Sequence, residues 1–148
     1  IPTIQHLDGN CHTYIHEIAD SAMAKQVVLN EKMRRTGVCG ATESLLVDKN
    51  ADVNLVKDIV ASLADAGCEI RGDDAMQKID SRVKPASEED WGTEYLDAII
   101  SVKQMNGVKE AIAHVNRYGS HHTDAIITTD EKAAAEFLEK VDSAIVLH

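Results

Sequence analysis

Apolar residues in this chain switch repeatedly between two periods. The runs "CHTYIH" (11–16), "ESLLV" (43–47), "CEIRG" (68–72), "LDAIISVKQM" (96–105), "DAIITT" (124–129) and "SAIVLH" (143–148) read as strands. Between them lie stretches with a period of about 3.6 residues. A helix opens near Asp20 with Ala19, Met23 and Val27 on one face. A second, Asp52 to Ala66, places Val56, Ile59, Val60 and Leu63 at i, i+3, i+4 and i+7, and Gly67 follows as a C′ residue would. The clearest helix is predicted from an N-cap at Asn106, through Val108, Ala111, Ile112 and Val115, to Gly119. The last runs from Asp130 to Val141, buried through Ala134, Phe137, Leu138 and Val141. Only residues 72–94 lack a regular pattern.

Strands alternating with helices of ten or more residues define βαβ units, hence an α/β fold with a largely parallel sheet covered by helices. Nearly continuous apolar strands are what a sheet buried on both faces requires. The length of 148 residues suits a single domain. There is no G-x-G-x-x-G or G-x-x-x-x-G-K-[ST], so no glycine-rich phosphate cradle is encoded.

Charge removes whole classes of partner. With 15 Lys+Arg against 25 Asp+Glu the net charge is −10, which repels nucleic-acid backbones and anionic membrane surfaces. No apolar run approaches the ~20 residues of a membrane span, and no signal peptide is evident, so the expected location is cytoplasmic. The chain begins at Ile1 and stops inside an apolar run, which reads as a piece of something longer.

Chemistry must therefore come from isolated reactive residues. Cys39 sits between Gly37 and Gly40, just after Lys32, Arg34 and Arg35. Nearby cations stabilise a thiolate, and glycines let a substrate carbonyl approach a backbone N–H, the ingredients of a nucleophile with an oxyanion donor. The same residues also suit a packed turn cysteine beside a solvated helix end. Cys11 and Cys68, at strand starts, read as small core hydrophobes. The histidines of "CHTYIH" and "GSHHTD" lack metal-ligand spacing, so no metal site is expected. Ser120, His121, His122 and Thr123 instead offer hydrogen-bond donors to an anionic group, or simply satisfy their own loop.

The segments "NEKMRRTGVCGATESLLVD", "PASEEDWGTEYLDAIISVK", "GVKEAIAHVNRYGSHHTDAIIT" and "FLEKVDSAIVLH" occur in order across the chain. In this the sequence resembles the γ-glutamyl phosphate reductase family of the aldehyde dehydrogenase superfamily, from "IQHLDGNCHTYIHEIAD" to "SAIVLH". The resemblance implies a catalytic domain over residues 1–148, with cofactor-binding and oligomerisation parts elsewhere in the parent. It places the nucleophile at Cys39 and the carboxylate that holds the nicotinamide ribose at Glu94, and it makes Ser120, His121 and His122 substrate or phosphate contacts. The implied reaction is NADPH-dependent reduction of γ-glutamyl phosphate to glutamate-5-semialdehyde and phosphate, in proline biosynthesis. The implied parent is a homo-oligomer, associated with glutamate 5-kinase.

Where hydrolytic relatives carry a water-activating glutamate, Gln5 and His6 stand here, which favours an acyl-phosphate reductase over an aldehyde oxidiser. Met33 and Arg34 replace a frequent Thr-Gln, and Gly40 a frequent Asn. The competing readings are another member of the superfamily oxidising an aldehyde, and a non-enzymatic α/β interaction module.

Overall fold

The computed structural model describes residues 8–148; Gln5 and His6 lie outside the described residues. The chain runs β1 (Cys11–Ile15), α1 (Ser21–Met33), β2 (Thr42–Asp48), α2 (Val53–Asp65), β3 (Glu69–Gly72), α3 (Asp74–Gln77) and β4 (Lys84–Pro85). After a 3-10 turn at Glu89–Gly92 come β5 (Ile99–Met105), α4 (Val108–Tyr118), β6 (Thr123–Ile127), α5 (Glu131–Lys140) and β7 (Ile145–Leu147). All strand pairs are parallel, in the order β4-β3-β5-β2-β1-β6-β7. The α/β alternation thus has the form that the apolar periods predict.

Neighbouring strand residues point to opposite faces, and each face has its own core. Ile15, Leu45, Val47, Ile70, Ile100 and Val102 pack with α1 and α2 residues such as Val28, Ile59 and Leu63. Their neighbours Tyr14, Leu46, Met105 and Ile126 pack with Ile112, Val115 and Phe137 of α4 and α5. Burial on both sides explains why every residue of β2 is buried and why its apolar run Leu45–Val47 does not alternate.

The helix ends follow local chemistry. Asp20, Asp52 and Asp130 cap α1, α2 and α5, accepting from Met23, Asn54, and Lys132 with Ala133. Gly67 has φ 87°, and bonds from Cys68 N–H to Leu63 O and from Gly67 N–H to Ala64 O close α2 as a Schellman motif.

Several local expectations are corrected. The N-cap of α4 is Gly107, at φ 89°, rather than Asn106, whose N–H donates to Glu110 Oε2 at 2.9 Å. On α1 the fully buried residues are Ala24, Val28 and Lys32, while Ala19 and Val27 of the predicted stripe pack half-buried against the same core and Met23 is half exposed. Lys32 joins the buried residues because its ammonium finds a buried partner, Glu43, which an apolar pattern cannot reveal. Leu138 is exposed, and β5 begins at Ile99 because Leu96 adopts φ 54° in the preceding turn. Residues 72–94 hold the short α3, β4 and the 3-10 turn. Among the described residues no helix is long and apolar enough to cross a membrane.

Candidate active site

Parallel pairing in the order β5-β2-β1-β6 brings four loops together at the amino ends of the strands. They are residues 34–41 before β2, 8–10 before β1, 93–98 before β5 and 119–122 before β6. In open α/β sheets ligands commonly bind beyond the carboxyl ends, so this cluster is at the opposite edge.

Cys39 is exposed in the turn leading to β2. The turn is held by Val38 N–H to Arg35 O at 3.3 Å and Ala41 N–H to Val38 O at 2.9 Å. Its root is tied to α1 by Glu31 Oε2, which accepts from Thr13 Oγ1 at 2.8 Å and Thr42 Oγ1 at 3.0 Å. The cations do not all face the thiol. Lys32 Nζ is 2.7 Å from Glu43 Oε2, both side chains buried, while Arg34 and Arg35 are exposed at the end of α1. Burial raises the Glu43 carboxyl above its ordinary range, and Lys32 opposes that shift.

Gly9 marks where the loops meet. A Cβ on it would lie 2.5 Å from Cys39 O and 2.8 Å from Glu94 Oε1, so the Cys39 loop and the Glu94 carboxylate close on it from two sides. Cys11, two residues on, places its Sγ 3.2 Å from Cys39 O and 3.7 Å from His122 Nδ1. Asn10, between them, is buried and donates from Nδ2 to Trp91 O at 3.1 Å and Tyr118 O at 2.9 Å. That one amide joins the start of β1 to the loops carrying Glu94 and Ser120.

The residues around Glu94 are pinned as well. Asp90 accepts from Tyr95 Oη at 2.7 Å, Arg71 Nη1 at 2.8 Å and Ser87 N–H at 2.7 Å. Glu94 itself has no protein donor on its carboxylate among the described residues, which suits it to hydroxyl donors from a ligand.

The predicted substrate contacts divide. His122 faces Cys11 and also bonds Thr123 Oγ1 through Nδ1, at 2.8 Å. His121, at φ 60°, instead sets its Nδ1 2.5 Å from Asp142 O and is exposed. Ser120 Oγ is buried with no partner among the described residues. Asp124 fixes this loop from below: it accepts from His12 N–H at 2.8 Å and His12 Nδ1 at 3.0 Å, and from the Ser143 hydroxyl. The structure therefore gathers Cys39, Glu94 and His122 around Gly9 and Cys11, and turns His121 toward the loop before β7. Among the described residues no group of three or more His, Cys, Asp and Glu is placed to hold a metal ion.

Gly9, Asn10, Cys11 and Asp124 are absent from the sequence-based candidates. Cys11 is indeed buried, as a core thiol would be, yet its sulfur contacts the Cys39 carbonyl. The one signal that could have found this group is the polar "DGNCH" at the entry to an otherwise apolar strand.

No family model matches the chain. Among curated relatives, the γ-glutamyl phosphate reductase of Bradyrhizobium diazoefficiens is 60% identical over 148 residues, all of this chain and 34% of that protein. Among solved structures, the γ-glutamyl phosphate reductase of Thermotoga maritima superposes with a TM-score of 0.95 at 38% identity, over 99% of this chain and 36% of that one. An acetylating aldehyde dehydrogenase from Geobacillus thermoglucosidasius, at 20% identity and a TM-score of 0.69, covers 95% of this chain and 40% of that one and shares the fold alone. The fold is thus one shared with aldehyde dehydrogenases. Over its whole length the chain matches a segment of the γ-glutamyl phosphate reductases. The chain spans about a third of the length of the curated relatives it matches.

Proposed function

We propose that residues 1–148 form the catalytic segment of a γ-glutamyl phosphate reductase, with Cys39 as the acyl-accepting nucleophile. The observation that carries this reading is the convergence on Gly9 of the exposed Cys39 loop before β2 and the Glu94 carboxylate before β5. Cys39 Sγ attacks the acyl carbon of γ-glutamyl phosphate, the carbon–oxygen bond to phosphate breaks, and a thioester remains on Cys39. Backbone N–H groups of the Cys39 turn face the oxyanion that forms at the carbonyl. His122 and Ser120 contact the departing phosphate, while His121 shapes the loop through Asp142.

A nicotinamide dinucleotide fits this arrangement, because Glu94 presents a carboxylate with no donor among the described residues, held close to the Cys39 loop across Gly9. NADPH, once bound, supplies the hydride that converts the thioester to the aldehyde. Glu94 orients it through the ribose hydroxyls, and Gly9 keeps Glu94 and Cys39 close enough for both to serve one reaction centre. The rest of the cofactor site lies in the remainder of the parent, so this segment alone turns nothing over.

In the full-length parent, Cys39→Ser abolishes NADP-dependent, phosphate-requiring oxidation of glutamate-5-semialdehyde while circular dichroism stays that of the wild type. Retained turnover overturns the assignment. Phosphate-independent turnover by the wild type would point instead to a hydrolytic aldehyde oxidiser.

A further inference from the structure

Cys11 is 2% exposed and sits where the register between β1 and β2 slips, between Cys11 and His12. Bulges of this kind re-aim side chains at the rims of sheets, often beside functional loops. Here the re-aimed group is a thiol whose Sγ is 3.2 Å from Cys39 O and 3.7 Å from His122 Nδ1. We propose that Cys11 is a positioning residue for the nucleophile: its S–H donates to the Cys39 carbonyl and fixes the peptide joining Cys39 to Gly40. This rests on the reading of Cys39 as nucleophile.

The consequence follows from peptide geometry. The carbonyl and the N–H of a trans peptide point to opposite sides, and the described residues contain no cis bond. Cys39 O is directed toward Cys11 and Gly9, so the Gly40 N–H is directed away from β1. That N–H has no acceptor among the described residues, and a Cβ added to Gly40 would meet nothing within 4 Å. An amide held in that orientation before the substrate arrives needs no reorganisation when negative charge develops on the acyl oxygen. Burial pushes the Cys11 thiol up to about 12, so it stays protonated and remains a donor throughout the range in which the parent works. The contact to His122 links the nucleophile loop to the "SHHTD" loop through a single sulfur.

The test uses the full-length parent with Cys11→Ser, which keeps a donor, and Cys11→Val, which keeps volume without one. Cys11→Ala runs in parallel in case valine prevents folding. Valine and alanine are expected to lower kcat about tenfold with KM unchanged, and serine to hold kcat within about threefold of wild type. Slower alkylation of Cys39 by iodoacetamide should accompany the loss, with melting temperatures close to wild type. Wild-type kcat in both donorless variants, or equal loss in Cys11→Ser, overturns the positioning role. Cys39→Ser is the control: its turnover would overturn the nucleophile reading beneath the proposal. An inactive Cys39→Ser with an unimpaired Cys11→Val overturns the proposal alone.

Discussion

Lys32 Nζ and Glu43 Oε2 lie 2.7 Å apart with both side chains removed from solvent, joining the two elements that flank the turn that carries Cys39. One Glu43 oxygen, Oε1, has no partner among the described residues, so the pair is only just compensated. Removing Lys32 leaves an uncompensated buried carboxylate, and Lys32→Met should destabilise the chain by about 3–5 kcal/mol near neutral pH. Because burial already raises the Glu43 carboxyl, folding favours its protonated form, and this contribution to stability is lost as pH rises above the ordinary 4.5. Without Lys32 the carboxyl rises further. The gap between variant and wild type should therefore be small near pH 4.5 and widen toward neutrality. Urea denaturation of the 148-residue chain across that range checks it, and a gap independent of pH would contradict the argument.

His114 titrates with the opposite sign. It is buried against the rings of Tyr118, Trp91 and His12, with centroids at 4.6, 6.1 and 5.7 Å. Burial, helped by His12, pushes it down to about 3 from an ordinary 6.5. The unfolded chain then binds a proton that the folded one refuses. Stability from this group is full above pH 6.5 and is lost as pH falls toward 3. By pH 4.5 the loss is roughly 2.5 kcal/mol. His114→Phe should flatten the acid limb of the stability profile by about that amount, measured as the difference between variant and wild type from pH 7 to 4.5. Parallel acid limbs would show that His114 takes up its proton in the folded state.

Glu94 carries a narrower expectation. A carboxylate accepting two ribose hydroxyls makes charge-assisted bonds that an amide cannot equal, so Glu94→Gln in the full-length parent should raise the KM for NADPH about tenfold. Alkylation of Cys39 should be unchanged, because Glu94 reaches that loop only across Gly9. Unaltered KM would remove Glu94 from the cofactor site.

The extent to which this molecule is legible in its sequence follows from what each feature depends on. Continuous apolar strands and Gly67 after a helix report local requirements, burial on two faces and a left-handed residue, and both are found. The stripe on α1 is not local: Lys32 belongs to it only because Glu43 arrives from β2. Leu138 keeps the helical period but lies outside the face that α5 turns to the core. The candidate site is less local still. Gly9, Cys39, Glu94 and His122 meet through the strand order β5-β2-β1-β6, which no spacing along the chain encodes. Cys39 stands out among three cysteines by its glycines, whereas Cys11 looks apolar because a buried thiol and a positioning thiol are the same residue in a sequence.

Gly9 offers the sharpest test of that convergence. Its φ is not in the left-handed region, so alanine meets no backbone penalty there and the only obstacle is space. The added Cβ would stand 2.5 Å from Cys39 O and 2.8 Å from Glu94 Oε1. The carbonyl cannot rotate away without breaking its contact with Cys11, so the Cys39 turn must move bodily. Overpacking of this kind costs about 1–3 kcal/mol, whereas a displacement of about 1 Å at a reaction centre costs about a hundredfold in rate. Gly9→Ala in the full-length parent should therefore lose about a hundredfold in kcat with a melting temperature lowered by only a few degrees. Gly40→Ala is the matched control, since the same methyl group meets nothing within 4 Å on the other side of Cys39 and should leave the melting temperature unchanged. A Gly9→Ala enzyme with wild-type kcat would show that the approach of Cys39 and Glu94 across this glycine has no part in the chemistry.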